Sequence, residues 1–263
     1  MSERPADRVL RLEAEVPGTP EVVWEAIATG PGITSWFVPA EVAGQAGGRM
    51  ELTFGPGMVE QGEVTAWEPP HRFRYDVPPG SERTLAFEWL VEATAGGTCV
   101  VRLVNSGFGG GEDWDREYDG LAGGWPQFLD NLRLYLTHFP GLRAASCTVT
   151  VQVAGRRQDV WERLAAELGA TGAAVDERIM LEPTGAPRLA GVVDRVQDGR
   201  LTLLLDDPAP GVALIAVEGP EDPVFASVYL YLFGAGAEEL AARDDRRWRA
   251  WHAERFPAPD ATQ

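Results

Sequence analysis

Hydrophobic spacing along the first half of the chain changes from a strand pattern to a helix pattern and back. Apolar and polar residues alternate from Arg8 to Val16, which predicts a strand with one buried face. Thr19 and Pro20 then fit an N-cap and a first helical residue. A short second helix is predicted over Gly32–Phe37. Strands separated by Gly- and Pro-containing turns follow, as is typical of an antiparallel meander: Arg49–Phe54, Val59–Trp67, Arg72–Val77, Leu85–Ala93 and Thr98–Ser106.

A long amphipathic helix is predicted after the meander, from Trp114 to His138. Its apolar residues recur at three- and four-residue steps and form one stripe. Pro140 and Gly141 end it. A helix of this kind buries its stripe against another element, here the sheet. The stripe contains Leu121, Trp125, Phe128, Leu129, Leu132 and Leu136.

The second half repeats the order of the first in fewer residues. The motif around Trp24 matches that around Trp161, and Gly62-Glu63-Val64 matches Gly191-Val192-Val193. We therefore expect an internal duplication with domains at residues 8–141 and 146–257. The predicted elements of the second domain are a strand at Cys147–Val153, a helix at Arg157–Leu168, strands at Arg188–Val196, Arg200–Leu205, Val212–Val217 and Phe225–Phe233, and a closing helix at Ala237–Phe256.

Charge and composition narrow the classes of protein. The 263 residues carry a formal net charge of −17, which disfavours nucleic acids as partners because binding them requires basic residues opposite phosphates. Every basic residue is Arg, as in proteins of GC-rich bacteria. The segment Met1–Arg8 is polar, without the apolar core of a signal peptide, and no apolar run is long enough to span a membrane. We expect a cytoplasmic bacterial protein that does not insert into membranes.

An ordered series of short motifs in the first half carries a family resemblance. Between Val9 and Phe139 the chain resembles the activator of heat shock protein 90 ATPase homologue family, within the START-like (SRPBCC) superfamily that includes polyketide cyclases. The second half looks like a diverged, shorter member of the same superfamily. The motifs are Pro20-Glu21-Val22-Val23-Trp24, Ser35-Trp36-Phe37, Gly47-Gly48-Arg49, Gly62-Glu63-Val64, Glu68-Pro69-Pro70-His71-Arg72-Phe73, Asn105-Ser106-Gly107-Phe108 and Gly123-Gly124-Trp125.

The resemblance implies two α+β helix-grip domains, the second of them shortened. In each, a curved antiparallel sheet wraps around a long C-terminal helix. In the first domain this arrangement leaves a cavity between the sheet and the helix. Aromatic residues on the elements that face this cavity in the family, together with leucines of the long helix, are the predicted ligand-binding set. These residues are Trp36, Phe37, Phe54, Met58, Phe73, Tyr75, Phe87, Trp89, Trp125, Phe128, Leu129 and Leu132.

The sequence contains no motif of a known catalytic or metal site, so no catalytic residue, metal or cofactor is predicted. Cys99 and Cys147 lack metal-like spacing. The acidic run from Glu112 to Asp119 fits a solvated helix start. Acid and base roles in a cyclase-like reaction would fall to Tyr75, Glu63, Glu88 or Arg102, but strand alternation is expected to turn several of these to solvent.

Three functions are compatible with this sequence. The first is a non-catalytic domain that binds a small apolar or amphipathic molecule, with the second domain as a support or as a surface for a homodimer or a protein partner. The second is a cyclase- or hydratase-like enzyme, since tandem helix-grip domains occur in aromatase/cyclases. The third is a co-chaperone-like partner protein, which the family name implies.

Overall fold

The computed structural model describes residues 8–55, 57–77, 84–219 and 223–257. The chain divides into two compact units between Arg143 and Ala144. The elements of the first unit, in order, are β1 (Leu10–Pro17), α1 (Pro20–Ala28), α2 (Gly30–Thr34), β2 (Ala40–Val42), β3 (Arg49–Gly55), β4 (Met58–Glu68), β5 (Arg72–Val77), β6 (Leu85–Ala93), β7 (Thr98–Ser106) and α3 (Glu112–His138).

The strands of the first unit form one antiparallel sheet in the order β1-β7-β6-β5-β4-β3-β2. The chain meanders from β2 to β7, and β1 pairs with β7 from Leu10 opposite Asn105 to Pro17 opposite Thr98. Helix α3 buries Trp125, Phe128 and Leu132 in the core of the unit. The predicted meander and the predicted apolar stripe therefore form the two sides of one core.

Short elements of the first unit differ from the sequence-based prediction. The strand β2 was not predicted, because its three residues are too few to establish an alternating pattern. Helix α2 starts and ends earlier than the predicted Gly32–Phe37: Thr29 caps its N-terminus by accepting a hydrogen bond from the Gly32 backbone N–H, and its C-cap is Ser35. Such boundaries depend on individual caps rather than on hydrophobic spacing.

The second unit has the same connectivity with fewer elements. Its sheet follows the order β8-β13-β12-β11-β10-β9, again with the first strand beside the last. Strand β9, which pairs with β10, was not predicted for the same reason as β2. The elements are β8 (Ala145–Val153), α4 (Arg157–Leu168), β9 (Arg178–Leu181), β10 (Leu189–Gln197), β11 (Arg200–Asp207), β12 (Gly211–Glu218), β13 (Val224–Leu232) and α5 (Ala237–Arg255).

Counting back from the closing helix of each unit, β4 corresponds to β10, so the matched glycines Gly62 and Gly191 occupy equivalent strands. A Cβ at Gly191 would stand 2.1 Å from the Leu204 carbonyl oxygen, and one at Gly62 would stand 3.0 Å from that of Asp76. Both positions therefore bring neighbouring strand backbones close. Two α+β helix-grip units, the second lacking α2 and one edge strand, confirm the predicted fold class.

The closing helix α5 fills the interior of the second unit with large side chains. Trp248 is fully buried and Trp251 is 2% exposed. Both belong to the same hydrophobic core as the buried residues of the strands. Within the described ranges, no helix is long and apolar enough to cross a membrane. Residues 1–7 of the polar N-terminal segment lie outside the described residues.

Candidate functional site

A cavity of about 180 Å³ lies in the first unit between the sheet and helix α3. An apolar cavity of about 150 Å³ is enough to hold benzene, so this space suits a group of one or two rings. The walls come from the four strands β3 to β6, from helix α3 and from Phe37, which follows α2. Most of the lining is apolar. The lining residues are Phe37, Leu52, Phe54, Glu60, Tyr75, Phe87, Glu117, Gly120, Leu121, Gly124, Trp125 and Phe128.

Aromatic rings hold the wall in place through contacts with one another. Phe37 follows α2 and contacts Phe54, Trp125 and Phe128, with ring centroids 5.8, 5.0 and 4.6 Å away. The contacts to Phe54 and Phe128 are edge-to-face, a geometry that the ring quadrupoles favour. Because each ring supports the next, the wall is preorganised.

Two glycines of α3 create the open space. Gly120 and Gly124 are four residues apart and therefore lie on the same helix face. A Cβ added at either position would meet nothing within 4 Å. Because these two positions have no side chain, they leave open space beside the helix. Larger side chains fill the corresponding space along the rest of its apolar stripe.

Two carboxyl groups interrupt the apolar lining. Glu60 lies on the inward-facing side of β4, in line with the buried Gly62 and Val64, and Glu117 stands on the first turns of α3, where it is exposed. Burial, and then the nearby Glu117 carboxylate, raise the pKa of Glu60 to about 7. Glu60 therefore changes its charge near neutral pH, at the edge of an apolar cavity.

Other polar groups stand in or beside the wall. Tyr75 is 2% exposed, and burial, followed by the charge of Glu60, raises the pKa of its phenol well above the usual value. The buried indole Nε1–H of Trp125 has no hydrogen-bond partner among the described residues. The same is true of the amide of Asn105, which is opposite Phe87 in the sheet.

The structure brings half of the predicted ligand-binding residues to the cavity: Phe37, Phe54, Tyr75, Phe87, Trp125 and Phe128. Trp36, Phe73 and Trp89 surround a separate void of about 10 Å³, which is too small for a ligand.

The three remaining predicted residues do not line the cavity. Leu129 and Leu132 are buried in α3, at 5% and 0% exposure. Met58 is 59% exposed at the start of β4. The side-chain period tells which face a residue occupies, but the depth of that residue depends on its neighbours.

The sequence analysis did not select the six other lining residues. Two signals were available: the alternation of β4 turns Glu60 to the same face as Gly62 and Val64, and Glu117 precedes Leu121 by one helical turn. The residues that were not selected are Leu52, Glu60, Glu117, Gly120, Leu121 and Gly124.

Three of the residues considered for acid and base roles lie away from the cavity. Glu63 is exposed, Glu88 accepts a hydrogen bond of 2.7 Å from Arg72, and Arg102 pairs with Glu13. They belong to surface ion pairs or to the solvent-facing side of the sheet. Within the described part of the chain, no group of three or more His, Cys, Asp or Glu residues could hold a metal ion.

The Ser35-Trp36-Phe37 motif positions the wall. The Trp36 indole donates to the Ala26 carbonyl oxygen at 2.9 Å, and the Asn131 amide of α3 donates to the Trp36 carbonyl oxygen. Ser35 donates to the Pro31 carbonyl oxygen at 2.8 Å. These bonds connect α1, α2 and α3, and they fix the loop that places Phe37 in the cavity.

Several solved structures are similar to part or most of this chain. Protein MLL2253 from Mesorhizobium loti is 26% identical over 50% of this chain and 98% of its own, with a TM-score of 0.45. DynU16, from the dynemicin biosynthetic locus, is 19% identical over 94% and 96%, with a TM-score of 0.45. The di-domain ARO/CYC BexL from the BE-7585A biosynthetic pathway is 16% identical over 95% of each chain, with a TM-score of 0.44.

No curated protein matches the chain. Because all three TM-scores are modest, the family assignment rests on a sequence match. The model of the family described as Activator of Hsp90 ATPase homolog 1-like protein matches residues 17–137, which run from the end of β1 almost to the end of α3. Over residues 17–137 the first unit of this chain is therefore similar to the Activator of Hsp90 ATPase homolog 1-like family.

Proposed function

We propose that the N-terminal domain binds a small aromatic or amphipathic molecule in the cavity between its sheet and α3, without transforming it. The observation that carries this proposal is the cavity of about 180 Å³ with aromatic walls and open space over Gly120 and Gly124. Protein interiors are otherwise packed as tightly as organic crystals, with few voids larger than a water molecule.

Energetics support a ligand in this space. A ligand that fills this space would cover apolar ring surface, and burial of apolar surface contributes about 25 cal/mol per Å².

The test is native mass spectrometry of the full-length protein, followed by denaturing extraction, together with thermal shifts in the presence of 2-phenylethanol. We expect a retained molecule or a concentration-dependent rise in Tm. The Gly124→Leu variant should lose both, because its side chain occupies the cavity. The matched control is Gly123→Leu, since Gly123 is exposed, lies outside the lining and also has open space for a Cβ.

A clean apo mass together with no thermal shift for the wild type would contradict the proposal. So would a thermal shift that persists in Gly124→Leu, because the probe would then bind elsewhere.

We also propose that the two domains extend over residues 8–141 and 146–257. Limited proteolysis should then cut the chain between Gly141 and Ser146.

A cyclase-like enzyme is a second candidate function, and one observation favours it. A carboxyl with a pKa of about 7 in an apolar cavity, as at Glu60, is suited to general acid–base catalysis near neutral pH. If the domain is such an enzyme, a molecule extracted from Glu60→Gln protein should be converted when wild-type protein is added. Recovery of the same unchanged molecule from both proteins would exclude this function.

A further inference from the structure

We infer that the cavity selects ligands that carry a protonated amine beside an apolar or aromatic body, with the ammonium group held between Glu60 and Glu117. This inference rests on the proposed function and names the chemical class of its ligand. It follows from the charges around the cavity, from the rings that line it and from the field of the whole chain.

The titratable groups of the lining are Glu60 on β4, Glu117 on α3 and Tyr75 on β5. Among the described residues, the other elements around the cavity contribute apolar residues only, and no Arg or His belongs to the lining. Placing a carboxylate against an apolar cavity without a cation is unfavourable. A cationic ligand would supply the missing charge.

Two arginines beside the start of α3 pair with acids other than Glu117. Arg116 pairs with Asp113, and Arg8, which also lies over the Tyr118 ring, pairs with Asp115. Both acids are in the first turn of α3. In the described structure Glu117 forms no salt bridge with either arginine, and its charge raises the pKa of Glu60.

Aromatic rings around the two carboxyls suit the same ligand. A cation within about 6 Å of an aromatic ring gains on the order of 0.5–2 kcal/mol from the ring quadrupole. Phe54 and Tyr75 line the cavity together with Glu60, and the body of the ligand would contact Phe37 and Trp125 further along the wall. The chain as a whole carries a net charge of −17, which attracts cations and repels anions.

Two other ligand classes fit less well. A carboxylate or phosphate would face two acidic side chains, and the described part of the lining offers no cation. A neutral carbonyl compound could accept a hydrogen bond from protonated Glu60, but then binding would weaken as this proton is lost. The pH dependence therefore separates an amine from a carbonyl ligand.

The protonation state of Glu60 predicts how the affinity for an amine changes with pH. Glu60 is largely protonated below its pKa of about 7 and ionised above it. An alkylamine has a pKa of about 10 and stays charged across this range. Affinity for the amine should therefore rise from about pH 6 to about pH 8, as the counter-charge forms.

The experiment uses the full-length protein and three probes built on one ring: 2-phenylethylamine, 2-phenylethanol and phenylacetate. Binding is measured by isothermal titration calorimetry from about pH 6 to about pH 8. A charge-assisted hydrogen bond is worth more than a neutral one, so the amine should bind about tenfold more tightly than the alcohol at the higher pH. Phenylacetate should bind most weakly.

Three variants test whether the carboxyls of Glu60 and Glu117 cause the preference for the amine and its pH dependence. Glu60→Gln should remove both the preference for the amine and its pH dependence, while 2-phenylethanol still binds. Glu117→Gln should move the pH midpoint downward, because one of the influences that raise the Glu60 pKa is removed. Glu63→Gln, on the same strand but exposed, is the matched control and should behave like the wild type.

Equal affinity for the amine and the alcohol at the higher pH would overturn this inference and leave the cavity proposal standing. An affinity for the amine that falls as pH rises would also overturn it. If none of the probes binds and native mass spectrometry shows the protein without a retained molecule, the proposed function itself fails.

Discussion

Tyr75 and Phe87 stack face to face across two neighbouring strands, with ring centroids 4.9 Å apart and ring planes 6° from parallel. They are directly opposite each other in the register of β5 and β6, and both line the cavity. Phe87 also contacts Trp125 of α3 edge-on, at 6.2 Å. The stacked pair therefore connects the sheet to the helix along one side of the candidate site.

Shortening one member of this pair should enlarge the cavity at a moderate loss of stability. For Phe87→Leu we expect a loss of about 1–2 kcal/mol in the free energy of unfolding, since ring contacts are lost while most of the apolar bulk remains. Urea unfolding measures it. Phe225→Leu is the comparison, because Phe225 is 38% exposed, and its effect should stay within about 0.5 kcal/mol. Equal effects would contradict the role of the stack.

A leucine that fills the cavity should stabilise the protein more than a leucine that only improves helix propensity. Gly123→Leu and Gly124→Leu each replace a helical glycine and should each gain up to about 0.8 kcal/mol from propensity. Only the Gly124 variant also buries its side chain among Phe37, Phe128 and their neighbours, which should add about 1 kcal/mol. Thermal and urea unfolding of the two variants check this difference, and a larger gain for Gly123→Leu would refute it.

Removing the charge of Glu60 should stabilise the folded state at higher pH. The folded pKa of about 7 lies above the ordinary value of 4.5, so the unfolded chain releases this proton first as pH rises. Stability is therefore lost between those two values, by about 1–2 kcal/mol after allowance for partial exposure. Glu60→Gln should match the wild type at about pH 4 and exceed it at about pH 8 in urea unfolding. A difference that does not change with pH would contradict the buried carboxyl.

Acid should destabilise the second unit through His252. Burial lowers the pKa of this fully buried imidazole to about 4, although the Trp248 carbonyl oxygen, 3.0 Å from its Nδ1, acts in the opposite direction. The unfolded chain therefore binds a proton at higher pH than the folded one. The resulting stability is present above about pH 6.5 and is lost as pH falls toward 4, by up to about 3 kcal/mol.

The variant His252→Phe keeps a ring among Trp248, Trp251 and Phe256 but cannot take up a proton. Its urea midpoint should change less than that of the wild type between about pH 7 and about pH 5. The same acid sensitivity in both proteins would show that other groups control it.

The sequence by itself determined the order of the longer elements, the internal duplication and the inward face of the long strands and helices. These follow from the two side-chain periods, which act locally and survive in both halves of the chain. Gly62 and Gly191, matched by sequence alone, do lie in equivalent strands. The aromatic character of the cavity was likewise predictable, because nine of the twelve predicted ligand-binding residues are aromatic.

Only the tertiary structure decided which buried residues meet the cavity. Trp36 and Phe37 are adjacent and both buried, yet Phe37 lines the larger space and Trp36 is held in the core by its bond to Ala26. Glu60 became a candidate only when α3 placed Glu117 near it. The physical reason is that periodicity fixes the direction of a side chain, whereas depth, local charge and empty volume depend on residues that are distant along the chain.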